Sequence, residues 1–175
     1  MRCGMFRAME SPSTEASRAA GVACRWQWSR LAGLAPFDLY AVLAARQLVF
    51  AVEQQCAFQD ADGLDFSAWH LLGWVDGDAG PSLAAYLRVI DPGVKYAEPS
   101  IGRVLTVSPW RGIGLGRVVM TEGIARAGAV WPGRPVRIAA QQRLERFYAS
   151  LDFRTVSAPY IEDGIPHVEM VRSGG

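Results

Sequence analysis

Apolar and polar residues alternate over several short stretches of the chain, and this period of two residues predicts β-strands. In the first stretch, Trp26 and Trp28 alternate with polar residues. The other predicted strands cover residues 69–75, 83–90, 101–107 and 136–140, and two more are expected between 153 and 171. The sequence Asp-Gly-Asp after the second strand indicates a turn, so the second and third strands are expected to form a hairpin.

Three other stretches have the spacing of an amphipathic helix. The first starts near Pro36 and places Leu39 and Leu43 on one stripe, and the others cover residues 116–130 and 144–151. The resulting order is strand, helix, three strands, helix, strand, helix and two strands. This order predicts a mixed α/β fold with one central sheet and helices packed on it.

Length and composition predict one folded domain. The chain has 175 residues, and a hydrophobic share of 50% is enough for one sizeable core. Residues 1–22 are small, polar and aperiodic, so we expect a disordered tail there and a single domain at 23–175.

Charge and cysteine content narrow the expected partners. A formal net charge of +1 provides no basic field for nucleic acid. The cysteines at 3, 24 and 56 lack the paired spacing of a zinc site, and the aspartates at 60, 62 and 65 lack the full pattern of a calcium loop, so no metal is expected. No stretch resembles a signal peptide or a membrane helix, which favours a cytoplasmic protein without a membrane partner.

A glycine-rich loop is the strongest chemical signal. Gly112, Gly114 and Gly116 lie between a predicted strand and a predicted helix, where backbone N–H groups and the helix dipole can bind an anion. Arg111 and Arg117 could add charged hydrogen bonds to phosphate oxygens. A Walker loop would need a lysine and a hydroxyl that are missing, and a dinucleotide fingerprint would need a different glycine spacing. A simple tight turn without a ligand remains an alternative.

The residues around this loop resemble a known family. The run from Ile101 to Gly116 resembles the acetyl-CoA-binding motif of the GNAT acetyltransferases, in which an Arg or Gln is followed at fixed spacing by two small residues. Residues 146–153 resemble the helix-to-strand segment of the same superfamily, although Asp152 replaces the usual glycine. Residues 52–56, 59–65, 70–74 and 162–167 resemble the ElaA branch of small bacterial GNAT proteins.

This resemblance implies a GNAT fold, with a mostly antiparallel central sheet and helices on both faces. It also implies that acetyl-CoA is the cosubstrate and that the acetyl group moves to a primary amine of a small molecule or a peptide. Dimers are common among similar proteins, which allows a homodimer here. The implied cofactor-binding residues are Leu105, Thr106, Val107, Arg111, Gly112, Ile113, Gly114, Leu115, Gly116, Arg117 and Gln141.

The resemblance also places Tyr148 near the coenzyme sulfur, where a hydroxyl can donate a proton to the departing thiolate. The candidates for a general base are Glu53, His70, Glu162, Asp163 and His167, with the two histidines placed in the catalytic set. No sequence rule chooses among these five, and a water relay is an alternative. Amine recognition is assigned to Glu53, Asp62, Glu162 and Asp163.

Two other functions stay open at the level of sequence. The chain could be a non-catalytic acyl-CoA-binding or sensing protein that kept the cofactor loop. It could also be a partner-binding domain without coenzyme, which an unchanged melting temperature in the presence of CoA would favour.

Overall fold

The computed structural model of the chain describes residues 23–56, 58–77 and 80–175. The tail predicted at residues 1–22 lies outside the described residues. Within the described ranges, no helix combines the length and the apolar character needed to cross a bilayer.

In the described part of the chain, eight strands form one sheet in the spatial order β1-β2-β3-β4-β5-β8-β6, and β7 pairs with β8. The strands are β1 Arg25–Arg30, β2 Ala68–Gly77, β3 Gly80–Ile90, β4 Ser100–Thr106, β5 Val136–Gln141, β6 Arg154–Thr155, β7 Tyr160–Glu162 and β8 Ile165–Arg172. Every pairing is antiparallel except that of β4 with β5. The expected mixed, mostly antiparallel sheet is therefore confirmed.

Helices cover both faces of this sheet. Helix α1 is Pro36–Arg46 and continues as a π-helical segment, Gln47–Glu53, while α2 is Leu115–Val130 and α3 is Glu145–Ala149. Side chains alternate across a strand, so the neighbours Leu71 and Leu72 of β2 point to opposite faces. Leu71 belongs to the core beneath α2, whereas Leu72 belongs to the core beneath α1. The two cores fix the sheet between the helices.

The C-terminal region differs from the prediction in one respect. Three strands occur there instead of two, because β7 and β8 form a tight hairpin around Asp163 and Gly164. Both turn residues have positive φ, 50° and 78°, as a two-residue hairpin turn of this type requires. The predicted helix at 144–151 is also shorter, since its helical hydrogen bonding covers only Glu145–Ala149.

Candidate functional site

The parallel pair β4 and β5 separates soon after it begins. These strands pair only at Ser100 with Arg137 and at Ile101 with Ile138, although β4 continues to Thr106 and β5 to Gln141. Beyond the two pairs, one edge of β4 faces a gap instead of a neighbouring strand. A gap in the middle of a sheet offers unpaired backbone groups to a ligand, as an exposed sheet edge does.

A β-bulge lies where the gap opens. Arg103 and Val104 of β4 lie opposite the single residue Leu87 of β3. Arg103 has φ +51°, in the left-handed region that favours glycine. A bulge bends its strand and increases its twist, so this one directs the end of β4 away from β5.

Past the bulge, main-chain groups alternate between β3 and the gap. The Val107 N–H donates to the Ala84 carbonyl at 2.9 Å, so this amide points toward β3 and is not available to a cofactor. The Thr106 carbonyl instead accepts from Arg111 Nε at 2.8 Å. Leu105 is paired with Tyr86 and is largely buried. Two of the three predicted residues therefore have a carbonyl that bonds outside β3, since the Val107 carbonyl accepts from the Trp110 N–H at 2.9 Å.

The glycine loop forms an open helix N-terminus. Gly112 and Gly114 have φ values of +78° and +84°, which other residues rarely adopt, and Gly114 is the N-cap of α2. Among the residues that the structure describes, no side chain caps this helix, and its first turn contains no acidic residue. Within 23–56, 58–77 and 80–175, no acceptor is recorded for the backbone N–H groups of residues 112–116. The positive end of a long helix is thus open to an anion.

The two loop arginines have different partners. Arg111 Nη2 donates to the Glu53 carboxylate at 2.6 Å. The residue predicted to bind phosphate is thus bonded to a residue predicted to bind the amine. Arg117 Nη2 donates to Ser150 Oγ at 2.7 Å, and its guanidinium lies over the Phe147 ring. Arg111 is therefore beside the loop, whereas Arg117 is directed toward the end of α3.

A cavity of about 200 Å³ crosses the gap between β4 and β5. Its walls come from β3, β4, β5, α3 and the β7–β8 hairpin, together with the β3–β4 loop and the end of the π-helical segment with the residues that follow it. Five predicted site residues line it, namely Gln141, Tyr148, Glu162, Asp163 and His167. Glu53, Asp62 and His70 do not line it.

Tyr148 has an unpaired hydroxyl in this cavity. The residue is only 8% exposed, and its ring packs edge-on against Phe147 and Phe153. No hydrogen-bond partner of the hydroxyl occurs among the described residues. Burial raises the pKa of Tyr148 to about 12, so the hydroxyl keeps its proton throughout the neutral range.

His167 has a defined tautomer. Its Nδ1 lies 2.8 Å from the Ile165 carbonyl, and a carbonyl can only accept, so Nδ1 carries the proton of the neutral ring. The lone pair of the neutral ring is then on Nε2, for which no partner occurs among the described residues. This arrangement leaves the ring able to take a proton from a group in the cavity.

His70 occupies a structural position instead. It is fully buried in β2, with Nε2 3.1 Å from the Asp65 carbonyl and Nδ1 2.7 Å from the Tyr86 hydroxyl. The carbonyl fixes the proton on Nε2, and the hydroxyl donates to Nδ1. Burial lowers the pKa of His70, which keeps it neutral. With both nitrogens bonded and no contact with the cavity, His70 does not meet the needs of a general base, and its placement in the catalytic set is corrected.

Asp62 belongs to a cluster of charges, which we call the Arg–Asp cluster: Arg46, Asp60, Asp62, Asp65, Arg88 and Arg103. Arg88 donates to both carboxylate oxygens of Asp62, at 2.5 and 2.7 Å. Burial alone would raise the pKa of Asp62, but the hydrogen bonds and charge of Arg88 outweigh it and lower the pKa to about 2. Asp62 is thus bound by arginine and is not free for an amine, which corrects its assignment to the substrate.

Sequence reasoning missed several residues of the cavity wall, including Lys95, Tyr96, Cys56 and Phe58. Lys95 and Tyr96 lie in the loop between β3 and β4, shortly before the run from Ile101 to Gly116 but outside every motif. The one available signal was that lysine occurs once in the chain.

The fold and the sequence match known proteins. The acetyltransferase (GNAT) domain profile matches residues 82–173. The UPF0039 protein sll0451 of Synechocystis sp. is 40% identical, with 83% of this chain and 93% of that protein covered. Protein ElaA of Escherichia coli is 38% identical, with 84% of this chain and 95% of ElaA covered.

Solved structures agree with these matches. The crystal structure of an acyl-CoA N-acyltransferase from Pseudomonas aeruginosa has a TM-score of 0.81 at 39% identity, covering 86% of this chain and 100% of that chain. The crystal structure of E. coli ElaA has a TM-score of 0.78 at 36% identity, covering 86% of this chain and 99% of that chain. The chain therefore belongs to the GNAT acetyltransferase family. Within that family it is similar to the ElaA proteins.

Proposed function

We propose that this protein is an acetyl-CoA-dependent N-acetyltransferase that moves an acetyl group to a primary amine. The observation that carries the proposal is Tyr148, a buried residue that lines the cavity and whose hydroxyl has no partner among the described residues. Because this hydroxyl is not bonded to another protein group, it can donate a hydrogen bond to a ligand in the cavity. The name of the P. aeruginosa relative, an acyl-CoA N-acyltransferase, supports the same reaction class.

Acetyl-CoA would bind along the gap and the glycine loop. The N–H groups of residues 112–116 would hold the pyrophosphate, and Arg111 would add a charged contact. Thr106 would meet the pantetheine arm through its main chain. Acetyl-CoA supplies the thioester that is cleaved. Gln141 is held by Gln54 at 3.1 Å, and its contact with the coenzyme stays a prediction.

On the amine side, the cavity walls supply the proton transfers. An amine attacks only when neutral, and His167 Nε2 would take its proton, directly or through a water. Glu162 and Asp163 would attract the cationic form of the amine to the cavity. As the N–C bond forms and the C–S bond breaks, one proton leaves nitrogen and one is finally gained by sulfur.

Tyr148 would stabilise the departing sulfur. A thiol has a pKa of about 8.5, well below the value of about 12 for Tyr148. Complete loss of the tyrosine proton is therefore unfavourable. The hydroxyl acts as a hydrogen-bond donor to the developing thiolate and keeps its own proton when the reaction ends.

The net charge of +1 and the small cavity support a small cytoplasmic amine rather than a nucleic acid. The test is to mix the purified protein with acetyl-CoA and a panel of amines, and to follow thiol release and the mass of the product. Acceptor-dependent release that is lost in Tyr148→Phe but kept in Tyr40→Phe, an exposed control, would support the proposal. CoA binding without release for any amine would favour the non-catalytic acyl-CoA-binding alternative.

A further inference from the structure

An ammonium group of the chain itself lies in the wall of the cavity. Lys95 Nζ lies 3.9 Å from the Glu162 carboxylate and 5.3 Å from the centre of the Tyr96 ring. Lys95 comes from the β3–β4 loop and Glu162 from β7, so the contact joins two separate segments of the cavity wall. A carboxylate beside an aromatic ring is a favourable site for an ammonium ion.

Carboxylates outnumber cations around Lys95. The guanidinium of Arg137 lies 5.3 Å from the Tyr96 ring centre, but it is paired with both Glu98 and Glu169. The Tyr160 hydroxyl lies 3.5 Å from Glu162, and Asp163 also lines the cavity. Burial, and then the charges of Glu162 and Glu169, raise the pKa of Tyr160 to about 12. The negative charges that disfavour a phenolate here favour a cation for the same reason.

Lys95 is held weakly enough to be replaced. Both Lys95 and Glu162 are more than a third exposed, and their 3.9 Å separation is at the outer limit of an ion pair. Exposed pairs of this kind contribute little to stability. A ligand ammonium that has further contacts in the cavity can therefore take the place of Lys95.

A guanidinium group also belongs to the cavity wall. Arg143 lines the cavity together with Tyr148 and Gln141, and its Nε donates to Gln141 Oε1 at 2.9 Å. A guanidinium group disfavours a second cation nearby and so lowers the pKa of an amine beside Arg143. The neutral amine is the form that attacks a thioester.

We propose that the acceptor is a small diamine, which places one ammonium between Glu162 and Tyr96 in exchange for Lys95 and presents its second amine near Tyr148. Ile138 and Ile165 in the cavity wall suit an apolar spacer between the two amines. This inference rests on the proposed acetyltransferase function. It adds that Lys95 is an internal competitor of the substrate.

The test compares a homologous series of straight-chain diamines with monoamines of the same length. In Lys95→Met, which keeps the stem and removes the charge, the ratio of diamine to monoamine kcat/KM should rise several-fold. In Glu162→Gln this ratio should fall about tenfold, as expected for the loss of a charged contact. Asp76→Asn removes an exposed carboxylate from the far end of β2 and should keep the wild-type ratio.

Equal use of monoamines and diamines, or a lower ratio in Lys95→Met, would overturn the diamine inference while leaving the acetyltransferase in place. Preference for a peptide with a single lysine over every diamine would overturn it as well. Calorimetry with an unacetylated diamine separates the two proposals. Tighter binding to Lys95→Met without transfer to any amine would support the subsite and contradict the acetyltransferase function.

Discussion

The guanidinium group of Arg111 donates to the carboxylate of Glu53 across 2.6 Å, and this contact ties the glycine loop to the end of the π-helical segment. Glu53 is therefore directed toward the loop, whereas its neighbour Gln54 lines the cavity. An anion bound at the loop would compete with Glu53 for Arg111.

This competition predicts opposite effects of two substitutions on CoA binding. Arg111→Ala should weaken it by about tenfold to a hundredfold, because charged hydrogen bonds contribute about 1.5–3 kcal/mol. Glu53→Gln should bind CoA at least as tightly as the wild type, because the competing carboxylate is gone. Calorimetric titration measures both dissociation constants. Arg25→Ala, on the edge strand β1, is the control, and an unchanged constant in Arg111→Ala would contradict the prediction.

Tyr148→Phe should lower kcat by about a hundredfold or more, the range expected for a proton or hydrogen-bond donor in the transition state. The KM for acetyl-CoA should change little, because the ring contacts with Phe147 and Phe153 remain. Since the pKa of Tyr148 is about 12, ionisation of Tyr148 should cause no loss of wild-type activity up to pH 10 or so. Steady-state kinetics across pH tests both statements. A kcat equal to that of Tyr40→Phe would remove Tyr148 from the mechanism.

Stability should fall as the pH drops below about 6.5, the ordinary pKa of histidine. Burial lowers the pKa of His70 in the folded state, so the unfolded chain binds a proton first and acid favours unfolding. The free energy of unfolding should therefore decrease from pH 7 to pH 5, by at most about 1.4 kcal/mol per pH unit for this one group.

Urea denaturation at several pH values measures this dependence. In His70→Gln the slope due to this group should disappear, whereas His167→Gln should keep it. A wild-type slope that persists unchanged in His70→Gln would show that other groups cause it.

Arg46→Met should destabilise the fold by about 3–5 kcal/mol, since it leaves Asp60 and Asp65 buried without this partner. Arg46 is only 1% exposed. Arg172→Met breaks an exposed pair with Asp152 at 3.8 Å and should cost less than about 1 kcal/mol. Equal effects of the two substitutions in urea denaturation would contradict the importance of the Arg–Asp cluster.

The parts of the site that depend on neighbouring residues in sequence could be predicted. The glycines at 112 and 114 are needed for their own backbone conformation, and they directly precede the helix whose N-terminus they open. The strand before them could likewise be recognised, because its bulge and the loop form one continuous motif. Local chemistry and the resemblance to GNAT proteins pointed to the same place.

The parts of the site that depend on contacts between distant residues could not be predicted from the sequence. Asp62 looked available for an amine because its partner Arg88 is 26 residues away, and only the folded sheet brings the two together. His70 looked like a base because histidine can exchange a proton near neutral pH. Its burial in β2 depends on the whole fold and could not be predicted from its neighbours in sequence. Lys95 was not predicted as a site residue because its partner Glu162 is far along the chain, on the β7–β8 hairpin.

The bulge at Arg103 has a consequence for how this chain can change in evolution. Arg103 bonds Asp60 at 2.7 Å and lies over the rings of Phe50 and Phe58, so the strand that borders the gap is anchored to the loop before β2. A change of Asp60 alone would leave Arg103 with only its longer contact to Asp62 at 3.3 Å, and a change of Arg103 alone would leave Asp60 bonded only to Arg46. Positions 46, 60 and 103 should therefore change together, and related sequences that lose Asp60 should have replaced one of the two arginines as well.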